Sequence, residues 1–103
     1  VLSKSDPYVV VKIKDVSHKT RTCNGGGANP RWDKGGNTMN FNVPVGTTTM
    51  TIQVWDKDTF TADDKMGTNP GYDLLPVMRS GHVDAWVPLK RCVSLSAIGC
   101  CLM

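Results

Sequence analysis

Between Pro7 and Lys14 the chain reads Pro-Tyr-Val-Val-Val-Lys-Ile-Lys, and this β-branched alternation restricts the fold more than any other feature. Val9, Val11 and Ile13 fall on one side of an extended chain, and Val10, Lys12 and Lys14 fall on the other, because successive strand side chains point to opposite faces. The same period returns in Met39, Phe41 and Val43 and again in Met50, Ile52 and Val54, which predicts strands over 38–43 and 48–55. Further strands are expected over 18–23, with Lys19 and Arg21 on one side, and over 83–89 and 92–98. The Gly25-Gly26-Gly27-Ala28-Asn29-Pro30 stretch is a turn. It is no phosphate loop, since the Gly-Lys-Ser/Thr ending and a following helix are both missing. No helix-period stripe of useful length appears. Short strands separated by turn signals point to an all-β, antiparallel β-sandwich.

A chain of 103 residues with 40% hydrophobic content supports one domain around one modest core. Its net charge of +3 is unevenly spread. All nine acidic residues are Asp, and Asp56, Asp58, Asp63 and Asp64 crowd a single stretch, directly after the alternating run that ends at Val54. Counting Asp6 with that group leaves four acidic residues elsewhere, against twelve basic residues in the whole chain. An acidic tip on a basic body suits a cation site beside an anionic surface, and argues against a nucleic-acid groove. No apolar run approaches the roughly 18–20 residues of a membrane span, and the first six residues hold no signal-peptide core.

Four like charges in one loop repel one another and gain nothing from a hydrophobic core. A hard cation gives a reason to gather them. Calcium takes roughly 6–8 oxygen ligands, and the short carboxylates of Asp supply them well from a loop.

Five motifs stand in order along the chain: Asp6-Pro7-Tyr8-Val9, Lys19-Thr20-Arg21-Thr22, Asn29-Pro30-Arg31-Trp32-Asp33, Val54-Trp55-Asp56-Lys57-Asp58 and Asp63-Asp64-Lys65-Met66-Gly67. Each is short, yet together they span residues 6 to 67 and resemble the ordered signature of a C2 domain. The small plant C2 proteins and the protein kinase C-type domains are the nearest in character. The resemblance implies an antiparallel Greek-key β-sandwich of about seven to eight strands over residues 1–98, lacking its N-terminal edge and followed by a tail at 99–103. It also implies Ca²⁺ held by Asp6, Asp56, Asp58 and Asp64, with Lys57 lending its backbone carbonyl and Asp63 acting as a further ligand or through its charge. One loop carboxylate that the family places before Asp6 has no counterpart here, which leaves that side of the calcium cup incomplete. Beyond Gly67 the family pattern blurs.

In that family the loops dock on anionic phospholipid, phosphatidylserine or phosphoinositide. Phe60, at the apex of the Asp-rich loop, is the residue expected to enter the bilayer, flanked by Val1 and Leu2. Tyr8, Lys12, Lys19, Arg21 and Trp55 resemble the basic groove that takes phosphoinositide head groups in some members, while Trp32, like Tyr8, also reads as a packing residue. The implied function is a calcium-dependent module that targets a protein to anionic membranes, cytoplasmic and peripheral on calcium binding, monomeric, with no nucleic-acid partner. Two other readings stay open: a calcium-independent domain that binds a protein partner, and a secreted perforin-like C2 domain with paired cysteines.

Cys23, Cys92, Cys100 and Cys101 match neither a zinc ribbon nor a dense disulfide framework, so reduced thiols are the default expectation. Cys100-Cys101-Leu102-Met103 fits the C-terminal prenylation pattern, making Cys100 a candidate for modification, although Lys90 and Arg91 are the only basic residues nearby. No enzyme is expected. His18 and His82 lack a paired nucleophile in a recognisable setting, and His18 reads as an exposed strand residue.

Overall fold

The structure, a computed structural model, describes residues 4–95 and 98–102. Its strands are β1 (Pro7–Ile13), β2 (Val16–Lys19), β3 (Thr49–Asp56), β4 (Asp64–Asp73), β5 (Lys90–Leu95) and β6 (Ile98–Leu102), with one short helix, α1 (Leu75–Ser80). They form a single sheet in the order β2-β1-β3-β4-β5-β6, and every neighbouring pair is antiparallel. The all-β antiparallel architecture expected from the period-two runs is therefore present.

Pairing follows the alternation. Val9 stands opposite Val54 and Val11 opposite Ile52, so the apolar side chains of β1 and β3 share one face. Pro7, Ile13 and Ile52 are buried there, together with Leu74 just before α1. Pro7 opens β1, where a residue without an N–H is tolerated. Tyr8 and Trp55 pair on the opposite face.

Beyond Lys19 the chain stays bound to β1 without strand geometry. The Thr20 N–H donates to the Val9 carbonyl at 2.9 Å, and the Cys23 N–H donates to the Pro7 carbonyl at 2.8 Å. Residues 20–48 then carry the chain past β1 to its other edge, a Greek-key type of connection.

Two expected strands are not formed. Residues 38–43 and 83–89 are irregular and join no strand ladder. An alternating face is necessary for a strand and is not sufficient, because the backbone also needs a ladder partner. In 83–89, Pro88 has no N–H to offer, and its carbonyl accepts instead from the Asn69 side chain at 3.0 Å. The second layer of the expected sandwich is thus represented among the described residues by irregular chain, and the strand count is six in one sheet. Residues 99–102, expected as a tail, belong to β6, and the strand expected over 92–98 is divided between β5 and β6. Val1 and Leu2 lie outside the described residues.

One consequence is an open inner face. A cavity of about 860 Å³ lies between Pro7, Val9 and Val54 of the sheet and the segments carrying Pro30, Trp32 and Trp86. The radius of gyration of 14.7 Å exceeds the roughly 13 Å of a closed domain of this length.

Candidate cation site

β3 and β4 end together, and their last rung sets Asp56 opposite Asp64. The ladder shifts register between Val54 and Trp55, which leaves Met66 without an opposite residue and turns the strand ends. Residues 57–63 bridge the two strands, so Asp56, Asp58, Asp63 and Asp64 cluster at one end of the sheet. Asp6 enters from the neighbouring strand immediately before Pro7.

Backbone bonds fix these loops to one another. The Asp6 N–H donates to Asp56 Oδ1 at 2.8 Å, and the Lys57 N–H donates to the Asp6 carbonyl at 3.0 Å. Asp6 Oδ1 in turn accepts the Gly25 N–H at 2.6 Å. Gly25 has φ of 68°, the left-handed conformation in which a glycine avoids the Cβ penalty. That contact ties the Gly-rich turn to the acidic loops, and the turn composition alone did not disclose it.

Asp63 is held on both sides. Its Oδ1 accepts the Asp58 N–H at 2.9 Å and its Oδ2 accepts the Tyr8 hydroxyl at 2.5 Å. The Tyr8 bond, the Asp58 N–H and then the charges of Lys57 and Lys19 hold its carboxyl below the usual carboxylate range. The Tyr8 hydroxyl is pushed up to about 12 by burial, by its bond to Asp63 and by the negative charge of that group.

Asp64 behaves oppositely. Partial desolvation raises its carboxyl, and the charge of Asp58, a shared hydrogen bond with Asp58 and the charges of Asp56 and Asp63 raise it further. Among the described residues no three His, Cys, Asp or Glu side chains converge closely enough to hold a metal ion. The donor chemistry nevertheless suits a hard cation, because the oxygens are carboxylates whose mutual repulsion a positive charge would relieve. Asp56, Asp58 and Asp64 carry that repulsion. The oxygens of Asp63 are engaged in holding the loop.

Phe60 lies within the bridging loop with 97% of its surface exposed. Trp86, expected inside a strand, is equally bare at 99%. On the outer sheet face a cleft of about 410 Å³ is lined by Tyr8, Val10, Ser17, His18, Lys19, Gln53 and Trp55. The Lys19 ammonium sits over the Tyr8 ring, 5.7 Å from its centroid. The Trp55 indole N–H donates to Gln53 Oε1 at 3.1 Å.

Lys12 is not part of that lining and flanks a separate hollow with Lys14 and Thr49. Arg21 is drawn away by the Gly35 carbonyl, to which its Nε donates at 2.8 Å. The structure thus brings together Tyr8, Lys19 and Trp55 from the expected basic groove, and separates Lys12 and Arg21 from them. Trp32 is half-buried, as a packing residue should be, and its indole N–H donates to the Arg21 carbonyl at 2.9 Å. His18 is exposed on β2, with its ring edge on Phe41 at 4.8 Å between centroids. Cys23 carries a free thiol. The side chain of Cys100 lies outside the described ones.

Against this geometry, the profile of the C2 domain matches residues 1–89. The chain belongs to the C2 domain family. This C2 domain is 43% identical over 81 residues to Protein C2-DOMAIN ABA-RELATED 11 of Arabidopsis thaliana, covering 77% of this chain and 46% of that protein. It is 35% identical over 82 residues to the 16 kDa phloem protein 2 of Arabidopsis thaliana, covering 80% of this chain and 53% of the relative. A probable serine/threonine-protein kinase of Dictyostelium discoideum is 36% identical over an alignment of 101 residues, covering 84% of this chain and 10% of the kinase. The chain spans about half the length, or less, of these relatives. Among the described residues of the C2 domain, no helix is long and apolar enough to cross a membrane.

Proposed function

We propose that this C2 domain is a non-enzymatic, calcium-dependent membrane-targeting module whose Asp-rich end docks on anionic phospholipid, in the cytoplasm and as a monomer. The observation that carries the reading is the last rung of β3 and β4, which sets Asp56 opposite Asp64, with Asp58 and Asp63 in the loop that joins the two strands there. Asp56, Asp58 and Asp64 would hold Ca²⁺, together with Asp6 and the Lys57 carbonyl. Bound calcium supplies the positive charge that lets an acidic tip approach lipid phosphate.

The protein's own groups do the rest. Asp63 fixes the Asp58 main chain, and Asp6 fixes the bridging loop through Lys57. Phe60 stands free at the tip, and an aromatic side chain in that position gains by leaving water for the lipid boundary. Tyr8, Lys19 and Trp55 present a cation and aromatic surface on the adjoining face.

Sedimentation with phosphatidylserine vesicles tests the reading. Binding in calcium that is lost in EGTA is the expected result, and equal binding in both overturns it. The same experiment decides for the other reading, a calcium-independent domain with a protein partner, which the open apolar cavity beside Val9, Val54 and Trp86 favours.

A further inference from the structure

Asn24 and Gly25 form the only Asn-Gly pair in the chain. An Asn side chain cyclises onto the main-chain nitrogen that follows it, so the next residue decides whether the reaction runs. Pro30 and Pro70 have no N–H and bar it at Asn29 and Asn69, while the side chains of Thr38, Phe41 and Val43 shield the nitrogens after Asn37, Asn40 and Asn42. Gly25 offers a bare nitrogen. Asn24 and Gly25 are both exposed in a turn outside any ladder, and a Cβ added at Gly25 would meet nothing within 4 Å, so solvent reaches the reacting atoms.

One contact opposes the reaction. The Gly25 N–H donates to Asp6 Oδ1 at 2.6 Å, which holds the nitrogen toward Asp6 and away from cyclisation. The turn is anchored to the same stretch of chain, with the Cys23 N–H on the Pro7 carbonyl at 2.8 Å and the Gly27 N–H on the Ser5 carbonyl at 3.1 Å. Bond lengths alone then keep Asn24 Cγ within roughly 8 Å of the Asp6 carboxylate.

We propose that Asn24 is a modification site, where spontaneous deamidation, restrained by Asp6, places a new carboxylate beside the acidic end of the domain. Its consequence rests on the calcium reading of that end, and its chemistry does not. Hydroxide from solvent removes the Gly25 amide proton, and the nitrogen attacks Asn24 Cγ. The N–Cγ bond forms as the Cγ–Nδ2 bond breaks, and Nδ2 leaves as ammonia with a proton from solvent. Water then opens the cyclic imide at either carbonyl, giving aspartate or isoaspartate. One water is consumed and one ammonia released, with no change of oxidation state. Either product adds one negative charge near Asp6, which strengthens the attraction of that end for a cation.

The test incubates the purified domain in warm, mildly alkaline buffer, below its melting temperature, and maps the tryptic peptide 22–31 by mass spectrometry against a sample digested at the start. Asn24 is expected to gain about 1 Da while Asn29, in the same peptide, stays unchanged. Asp6→Ala frees the Gly25 N–H and should convert roughly threefold faster, whereas Asp6→Asn keeps an acceptor oxygen and should convert at close to the original rate. An Asn24 that stays intact overturns the proposal, and so does an unchanged rate in Asp6→Ala. Calorimetric titration of Asn24→Asp with calcium reads the consequence: binding about threefold tighter than that of the unaltered domain is expected, and equal or weaker binding rejects it. No calcium binding by either protein overturns the calcium reading, and the mass measurement still decides the modification.

Discussion

The main-chain N–H of Asp6 donates to the Asp56 carboxylate at 2.8 Å, so an acidic side chain already serves as a structural acceptor between two loops. Replacing Asp56 with Ala leaves that N–H without its partner. The metal-free domain should lose about 1 kcal/mol, whereas Asp56→Asn, which keeps an acceptor oxygen, should lose much less. Thermal denaturation of both variants in EGTA checks the difference.

Asp64 carries the cost of desolvation and of crowding. A carboxyl raised in the folded state contributes stability that is complete below its unfolded value and lost as pH rises through its folded value. At neutral pH the ionised group therefore works against folding. Asp64→Asn should raise the melting temperature in EGTA, and the rise in melting temperature expected of the unaltered domain on adding calcium should be absent in it. A lower melting temperature in EGTA would mean that favourable contacts of Asp64 outweigh desolvation and repulsion.

Asp58→Asn should abolish calcium-dependent vesicle binding and leave the fold intact. Its main-chain N–H still donates to Asp63. Circular dichroism with sedimentation tests both halves, and retained lipid binding in calcium would show that the ligands lie elsewhere.

Phe60 makes the simplest case, because at 97% exposure its removal costs the fold nothing. Phe60→Ala should keep its melting temperature and bind phosphatidylserine vesicles roughly tenfold more weakly. Equal affinity would place the loop tip outside the bilayer.

The Tyr8–Asp63 bond should weaken at both ends of the pH scale. Asp63 is depressed, so its share of stability is present above the unfolded carboxylate value and lost as pH falls through the folded one. Tyr8 is raised from 10.0 to about 12, so its share is complete below 10.0 and fades as pH climbs toward 12. Absorbance near the phenolate band in a Tyr72→Phe variant isolates Tyr8. Ionisation near 10 would mean that the bond does not persist in solution.

How far these features could be read from the chain depended on how local their causes are. The strands with Val9, Val11, Ile13, Ile52 and Val54 were legible because alternation and β-branching act within a few residues. The segments holding Phe41 and Val87 carry similar apolar character and remain unpaired, since a ladder depends on a distant partner that their own residues do not encode. The acidic end was legible as a cluster, from spacing and family resemblance. Which carboxylates are bound to backbone was not, because the Gly25 N–H and the Tyr8 hydroxyl reach Asp6 and Asp63 across 19 and 55 positions of the chain. Lys12 and Lys19 read as one basic face, and only the hollows between side chains separate them.

The rung that sets Asp56 against Asp64 closes the β3–β4 hairpin with two like charges directly opposite, an arrangement that disfavours pairing. In the structure that rung is formed all the same, with Trp55 opposite Lys65 just behind it. If a cation neutralises the two carboxylates, the end of the hairpin should gain backbone protection, so amide exchange at Trp55 and Lys65 is expected to slow on calcium addition. The strand end would then report on its own loop.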